Sequence, residues 1–191
     1  MDYFSKGAEA YIYVDKDNLI KERKTKKYRI SEIDSKIIKS RTKKESNALK
    51  KCNEYNIPTP KLIDFNSNKI IMSFIEGQTL SLYKDEKYYK EAGLILAKLH
   101  SINLCHGDFT PNNLIVCSKD DLVYVIDFGL CEFSTYIEKK ATDIRVMKDS
   151  LKDDDLFRLF LESYLSNYSE GEKIFERYIK NESRGRYKER V

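Results

Sequence analysis

Cysteine is scarce in this sequence, with four residues among 191, and the spacing of the four contains no Cys-x-x-Cys pair. This spacing argues against a zinc site and against a disulfide framework, so we expect a reducing, cytoplasmic location and cysteines that only fill the core. Apolar runs are also short: none approaches the roughly 20 residues of a membrane span. The N-terminus lacks the apolar region of a signal peptide. The sequence therefore predicts a cytoplasmic protein without a membrane segment.

Glycine is almost missing from the first part of the chain, where Gly7 is the only glycine before Gly77. This excludes a Gly-x-Gly-x-x-Gly loop over a phosphate group in that part. Gly77 itself interrupts the pattern just after a predicted hairpin. It is therefore the candidate boundary between an N-terminal lobe, residues 1–76, and a C-terminal lobe, residues 77–183.

Charge is abundant but uneven, at 35% of residues against the usual value of about 25%. Residues 21–51 contain thirteen Lys and Arg against four Asp and Glu, whereas residues 120–155 contain five against ten. The basic stretch, and the basic tail 184–191, which we expect to be mobile, are candidates for contacting nucleic acid. Solvated surface charge is the alternative explanation.

Short runs of aromatic and β-branched residues predict a β-rich N-terminal lobe. Residues 11–14 pair with 19–23 in one hairpin, and "KLIDF" pairs with "KIIMSF" in a second. A further strand near residues 3–8 would make five. A helix is predicted from Ser31, opened by a capping box with Asp34, to about Cys52. After Gly77 the pattern is mainly helical, so the fold class is α+β.

Oxygen-bearing side chains flank one further hairpin, residues 114–127. Asp108 and Asn113 precede its first strand, and Asp127 follows its second. Since a hairpin brings its two outer ends together, these side chains should converge. Carboxylate and amide oxygens suit Mg²⁺, and the absence of clustered His and Cys argues against zinc. We therefore predict Asn113 and Asp127 as metal ligands.

The order His-x-Asp, then Asn, then Asp-Phe-Gly is typical of protein kinases. In that order Asp108 is the catalytic base, Asn113 and Asp127 hold Mg²⁺, and Gly129 lets the chain turn sharply. His106 is expected to lie beneath the loop, hydrogen-bonded to backbone, rather than to move protons.

Glu45 provides an independent check, because it falls in the apolar stripe formed by Ile38, Leu49 and Cys52. An inward carboxylate needs a cation, and Lys21 on the preceding strand is the expected partner. Such a Lys–Glu pair holds the α- and β-phosphates of a nucleotide in kinase-like sites. The alternative is a weak surface pair between Glu45 and Arg41.

The strand end "MSFIE" has a backbone that could hydrogen-bond an adenine edge. We expect Met72 and Phe74 to contribute there, although an ordinary strand end predicts the same sequence.

Nearly the whole chain resembles the PRPK-type family, the small atypical kinase/ATPase subunits of the KEOPS (EKC) complex. The resemblance rests on the stretches "KGAEA" (6–10), "LIKERKTKKYR", "SEIDSKIIKSRTKKESNAL", "HGDFTPNNLIV", "VIDFGL", "KATD" (140–143) and Arg184-Gly185-Arg186. It implies a bilobal protein-kinase-like fold with a small N-lobe and a reduced C-lobe. It also implies a degenerate phosphate loop in which Lys6, Gly7 and Ala8 contact the nucleotide.

The resemblance implies binding of ATP and Mg²⁺, with autophosphorylation or ATP hydrolysis by an atypical serine/threonine kinase. It implies partners in KEOPS, above all the threonylcarbamoyl transferase subunit, in the synthesis of threonylcarbamoyladenosine in tRNA. Only thirteen residues separate Gly129 from Asp143, without an Ala-Pro-Glu motif. We therefore do not expect exogenous proteins to be the main substrate.

Two other readings remain open from the sequence. A RIO-type kinase or a small-molecule phosphotransferase would also carry a His-Gly-Asp loop. A tRNA-binding scaffold subunit with vestigial catalysis would explain the basic stretches, but the intact set of Lys21, Glu45, Asp108, Asn113 and Asp127 argues against a dead enzyme.

Overall fold

The computed structural model describes residues 2–6, 10–25 and 30–188, and the side chains of 10–25, 30 and 32–183. Its N-terminal part contains a five-stranded antiparallel sheet in the order β1-β2-β3-β5-β4. The strands are β1 Asp2–Lys6, β2 Ala10–Asp15, β3 Asn18–Arg23, β4 Leu62–Phe65 and β5 Lys69–Ser73. Both predicted hairpins and the additional first strand are therefore present.

A single long helix, α1 (Ser31–Glu54), packs on this sheet and contacts β4 and β5. Its apolar stripe is buried, with Leu49 and Cys52 essentially inaccessible. The predicted capping box is wrong, because Ile30 occupies the position before the first turn and makes no side-chain cap. Beyond α1 the Pro58 carbonyl accepts a hydrogen bond from the Val125 N–H, 2.9 Å away, which ties this loop to the third predicted hairpin, residues 114–127.

The remainder of the chain combines five further short strands with four helices among the described residues. The strands are β6 Gly77–Thr79, β7 Leu104–Cys105, β8 Leu114–Cys117, β9 Val123–Val125 and β10 Glu132–Phe133. They form a sheet β6-β8-β9 and a pair β10-β7. The helices are α2 Glu86–Ser101, α3 Ile137–Ser150, α4 Asp154–Asn167 and α5 Gly171–Lys188. The predicted third hairpin is β8-β9, with Leu114 opposite Val125.

Helix packing forms most of the core of this second part. The buried faces of α2 and α4 meet closely, and α3 packs on α5. Helix α5 continues past Ser183, where the sequence pattern was expected to end, as far as Lys188. Across the described residues, no helix combines the length and the apolarity that crossing a membrane requires. The α+β class predicted from the sequence is confirmed.

Candidate active site

Lys21 lies at the centre of a row of charged side chains between the N-terminal sheet, α1 and the end of β9. Its Nζ is 2.7 Å from Glu45 Oε1 and 2.7 Å from Asp127 Oδ1. Glu45 is only 1% exposed, so it faces inward as its position in the apolar stripe predicts. The predicted pair of Lys21 with Glu45 is present in the structure, and Glu45 is too deeply buried for a pair at the surface.

The two carboxylates keep Lys21 charged in spite of its burial. Burial by itself would lower the pKa of Lys21, but the negative charges of Glu45 and Asp127 outweigh it, and the pKa lies above its ordinary value. Conversely, burial would raise the pKa of Asp127, but the Lys21 charge, its hydrogen bond and the Gly129 N–H lower it. At neutral pH the site therefore contains an ammonium between two carboxylates.

Arg23 is a second cation on Glu45 that the sequence reasoning missed. Its Nη2 lies 2.5 Å from Glu45 Oε2, and its Nη1 lies 3.5 Å from the Thr42 hydroxyl. Since successive strand residues alternate between faces, Arg23 lies on the same face of β3 as Lys21. The spacing of two residues between Lys21 and Arg23 is therefore the sequence feature that could have identified Arg23.

Asp108 and Asn113 are joined directly in the loop before β8. The Asn113 Nδ2 donates to Asp108 Oδ2 at 2.9 Å and to the Asp108 carbonyl at 2.8 Å. The Asn113 carbonyl also accepts from the Ile126 N–H at 3.0 Å, which puts it beside the residue before Asp127. The hairpin thus brings together the ends that carry the three oxygen-bearing side chains.

His106 is buried beneath this loop, as predicted. Its Nε2 donates to the Ile126 carbonyl at 3.1 Å, and its Nδ1 accepts from the Asp108 N–H at 3.3 Å. Its ring packs against Phe109 and Phe128. Through these two contacts His106 ties the backbone at Asp108 to the residue before Asp127.

The backbone turns sharply at Asp127 and Gly129. Asp127 has a φ of +60°, a conformation that few residues with a side chain adopt. A Cβ added at Gly129 would lie 3.0 Å from Asp127 Oδ1 and 3.2 Å from Arg23 Nη2. Glycine therefore lets this loop approach both charged groups closely.

Asp143 anchors the loop from below and was not singled out as a site residue by sequence. Its two carboxylate oxygens accept the N–H groups of His106, at 2.8 Å, and Gly107, at 2.7 Å. His100 Nε2 lies 3.2 Å from the same carboxylate. The group His100, Cys105 and Asp143 has metal-ligand atoms within 4.8 Å of one another. Because the Asp143 oxygens already accept these hydrogen bonds, we interpret the three residues as a structural group rather than as a metal site.

The donor set near Asp127 fits Mg²⁺. The side chain of Asp127 is half exposed, at 52%, and can receive a ligand. Both side-chain hydrogen bonds of Asn113 use its nitrogen, so its amide oxygen is the atom available to a metal. Hard oxygen atoms without a free imidazole or thiolate favour Mg²⁺ over zinc.

The structure gives less support to the other residues that we predicted to contact the nucleotide. Gly7 and Ala8 lie outside the described residues, as does the side chain of Lys6. Met72 is buried in β5 between Leu19 and Leu62. The Phe74 N–H already donates to the Asp17 carbonyl at 2.8 Å, so it is not available to an adenine. Binding of adenine by the other backbone groups near β5 stays a prediction.

Comparison with known proteins gives a family match and close relatives. The model of the RIO domain family matches residues 5–144. The chain is 34% identical, over 97% of its length and 96% of the relative, to a probable serine/threonine-protein kinase BUD32 homolog from Archaeoglobus fulgidus. It is 33% identical to the KEOPS complex subunit Bud32 of Pyrococcus abyssi, with 100% and 98% of the two chains covered.

Other relatives are much longer proteins. A probable bifunctional tRNA threonylcarbamoyladenosine biosynthesis protein from Methanobrevibacter smithii is 38% identical over 96% of this chain. The chain spans 36% of that protein's length, and 35% of a similar protein from Methanocorpusculum labreanum.

Solved structures show that the fold is protein-kinase-like. The Rio2 kinase of Chaetomium thermophilum, in a complex with ADP, Mg²⁺ and phosphoaspartate, superposes with a TM-score of 0.64 at 16% identity, covering 95% of this chain and 70% of that one. The gentamicin complex of APH(2")-IIa gives a TM-score of 0.65 at 17% identity, covering 94% and 80%. The predicted bilobal kinase-like fold is therefore confirmed.

Proposed function

Because this chain belongs to the RIO domain family and has Bud32 relatives along its whole length, we propose that it is an atypical kinase or ATPase that uses Mg-ATP. We further propose that it acts as the kinase-like subunit of a KEOPS assembly in threonylcarbamoyladenosine synthesis on tRNA. The observation that carries the enzymatic part is the linked set of Glu45, Lys21 and Asp127, with Asp108 and Asn113 beside it. Its proposed location is the cytoplasm.

Each side chain has a distinct role in this proposal. Lys21 binds the α- and β-phosphates while Glu45 holds its Nζ, and Asp127 and Asn113 hold Mg²⁺. When bound there, Mg²⁺ would supply positive charge that offsets the charge developing on the phosphates. Asp108 orients the attacking oxygen, either of water or of a hydroxyl in this chain. Most of the acceleration then comes from positioning and electrostatics, because phosphoryl transfer has a loose transition state.

In this proposal the two lobes and the tail have different roles, with the boundaries that the sequence predicts. Residues 1–76 form the phosphate-binding lobe, with Lys6, Gly7 and Ala8 near the phosphates, and residues 77–183 form the catalytic lobe. The tail from 184 to 191 would contact tRNA or the active site. Eleven of the thirteen residues between Gly129 and Asp143 belong to β10 or α3, or lie between these two elements. The short connection leaves little room for a peptide substrate, which favours water or the chain itself as the acceptor.

Two substitutions test the catalytic assignments. Asp127→Ala should abolish Mg-dependent ATP turnover, since it removes a metal ligand and one partner of Lys21. Asp108→Ala should lower turnover about 10²- to 10⁴-fold, the range of general base catalysis, and should leave nucleotide binding nearly intact. Turnover is measured by phosphate release and by autophosphorylation, and binding by calorimetry.

The matched control is Asp149→Ala, which removes an exposed carboxylate from α3 at a distance in sequence from the loop. It should leave turnover unchanged. Wild-type turnover in either the Asp127 or the Asp108 variant would reject the role given to that residue.

A further inference from the structure

Arg23 and Lys21 divide the carboxylate of Glu45 between them. Lys21 takes Oε1 and Arg23 takes Oε2, and the Arg23 side chain is only 4% exposed. Lys21 also contacts Asp127, so the four side chains form an alternating chain in the order Arg23, Glu45, Lys21, Asp127. Two cations and two carboxylates balance one another in this row, in which Asp127 is the half-exposed end.

The guanidinium of Arg23 also fixes α1 against β3. Its second contact, the Thr42 hydroxyl, lies three residues before Glu45 and hence on the same face of the helix. The Thr42 hydroxyl in turn donates to the Ile38 carbonyl at 2.8 Å. The backbone of Arg23 is held as well, since its N–H donates to the Asn68 carbonyl at 2.8 Å. A planar fork with several donors suits such a two-point contact better than an ammonium does.

The proposed function requires Lys21 to leave one of its carboxylates. When Lys21 binds phosphate groups and Asp127 holds a metal, the contact between Lys21 and Asp127 is exchanged. Throughout that exchange Glu45 keeps its contact with Lys21, and a buried carboxylate must stay paired. Arg23 holds the second oxygen of Glu45, and so keeps this carboxylate and α1 in place while Lys21 changes its other partner.

We propose that Arg23 is a positioning residue for phosphoryl transfer. It holds Glu45 and α1 in register, and thereby lets Lys21 exchange Asp127 for the phosphates of the nucleotide. The proposal rests on the function proposed above, and it adds a residue that acts through Glu45 rather than on the substrate.

The decisive variant is Arg23→Gln, compared with Arg158→Gln as the matched control. Arg158 lies on α4 with 63% of its side chain exposed. Arg23→Gln should lower kcat about 10²-fold, the size of effect expected from a misplaced reacting group, with little change in KM for ATP. Arg23→Lys, which keeps the charge but loses the fork, should give an intermediate kcat.

A double-mutant cycle separates positioning from a general structural role. If Arg23 acts through Glu45, adding Arg23→Gln to Glu45→Gln should cause no further loss of kcat. Thermal unfolding of each variant shows whether it is folded; should Arg23→Gln fail to fold, Arg23→Lys carries the test. A full additive loss in the cycle, or a kcat of the folded Arg23 variant equal to that of Arg158→Gln, would overturn the proposal.

A second readout does not depend on turnover. An acyl-phosphate derivative of ATP acylates a lysine next to the phosphates, and mass spectrometry gives the rate at Lys21. Arg23→Gln should slow this labelling, whereas a rate equal to that of the control would overturn the proposal. Absence of turnover in the wild-type protein would remove the proposed function, but the labelling rate would still test Arg23.

Discussion

At the scale of single residues, His100 shows how burial controls a charge. It is completely buried, packs against the rings of Tyr164 and Tyr168, and lies 3.2 Å from the Asp143 carboxylate. Because a carboxylate only accepts, the His100 Nε2 carries the proton, and Nδ1 accepts from the Tyr164 hydroxyl at 2.8 Å. Burial lowers the pKa of His100 although Asp143 acts to raise it. The imidazole is therefore neutral in the folded protein.

This neutral histidine predicts a pH-dependent stability. The unfolded chain takes up a proton on His100 near its ordinary pKa of about 6.5, whereas the folded protein takes up this proton only at a lower pH. The free energy of unfolding should then fall as the pH drops from 6.5 towards 5, by up to about 1.4 kcal/mol per pH unit. Urea unfolding measured across this range checks it. His100→Gln should flatten the slope, and an equal slope in both proteins would contradict the explanation.

The cysteines also show, at the scale of single residues, how burial controls the protonation of a side chain. All four are free and buried, as the sequence spacing indicates. Burial raises the pKa of Cys52, Cys105 and Cys131 to about 12. These three thiols therefore stay protonated at neutral pH and do not serve as nucleophiles, in agreement with a filling role.

At the scale of secondary-structure elements, the contact between α2 and α4 depends on a glycine. A Cβ added at Gly93 would lie 2.2 Å from the Phe160 carbonyl oxygen and 2.9 Å from Ser163 Cβ. The Ser163 hydroxyl donates to the Lys90 carbonyl at 2.6 Å, which confirms that the two helices approach closely. The approach needs a residue without a side chain at this position.

Gly93→Ala sets helix propensity against packing. In an isolated helix, alanine would gain about 1 kcal/mol over glycine. Here the helices must move apart, and overpacking typically costs 1–3 kcal/mol. We expect a net loss of about 1 kcal/mol in urea unfolding. The exposed substitution Lys98→Ala on the same helix should change stability little, and a stabilised Gly93→Ala would show that the contact is looser than described.

The helices also show where pattern reasoning reaches its limit. The start and the centre of α1 were predicted, but the capping box at its start was not correct, because Ser31 is the first residue of the helix and Ile30 precedes it. The end of α5 was likewise placed too early, at Ser183 rather than Lys188. Helix ends depend on local hydrogen bonds and on neighbouring elements, which the periodicity of the side chains does not record.

At the scale of the whole molecule, charge is distributed unevenly along the chain. The stretch 21–51 is strongly basic, and 120–155 is acidic. Relatives such as the bifunctional protein of Methanobrevibacter smithii continue well beyond the region that this chain matches. We expect the active site to respond to the rest of such an assembly.

The expected response can be measured as ATP turnover. The rate is determined in three mixtures. These are the chain alone, the chain with the threonylcarbamoyl transferase subunit, and the chain with both that subunit and tRNA. We expect the transferase subunit to raise the rate and tRNA to act in a salt-dependent way, since phosphate contacts release counterions. An unchanged rate in all three mixtures would contradict regulation by the assembly. Asp127→Ala in each mixture controls for ATPase contaminants.

The sequence by itself determined the elements and most of the chemistry. Strand-like and helical patterns in the sequence predicted the strands and helices. The order of the motifs identified Asp108, Asn113 and Asp127 as candidate site residues. Glu45 was identified because a carboxylate in an apolar stripe must meet a cation. Asp143 shows the limit of that reasoning: it shares a helix face with Lys140, Ile144 and Met147, but its buried carboxylate accepts hydrogen bonds from the His106 and Gly107 N–H groups instead of pairing with a cation.

Only the tertiary structure decided which atoms meet. It placed Arg23 on the second oxygen of Glu45, Asp143 under the backbone of His106 and Gly107, and the Phe74 amide on Asp17. These contacts join residues that are distant in the chain, and the distance and direction between two atoms depend on how the elements pack. Spacing along the sequence determines on which face of a helix or strand a side chain lies. The residue that this side chain contacts depends on which other element packs against that face.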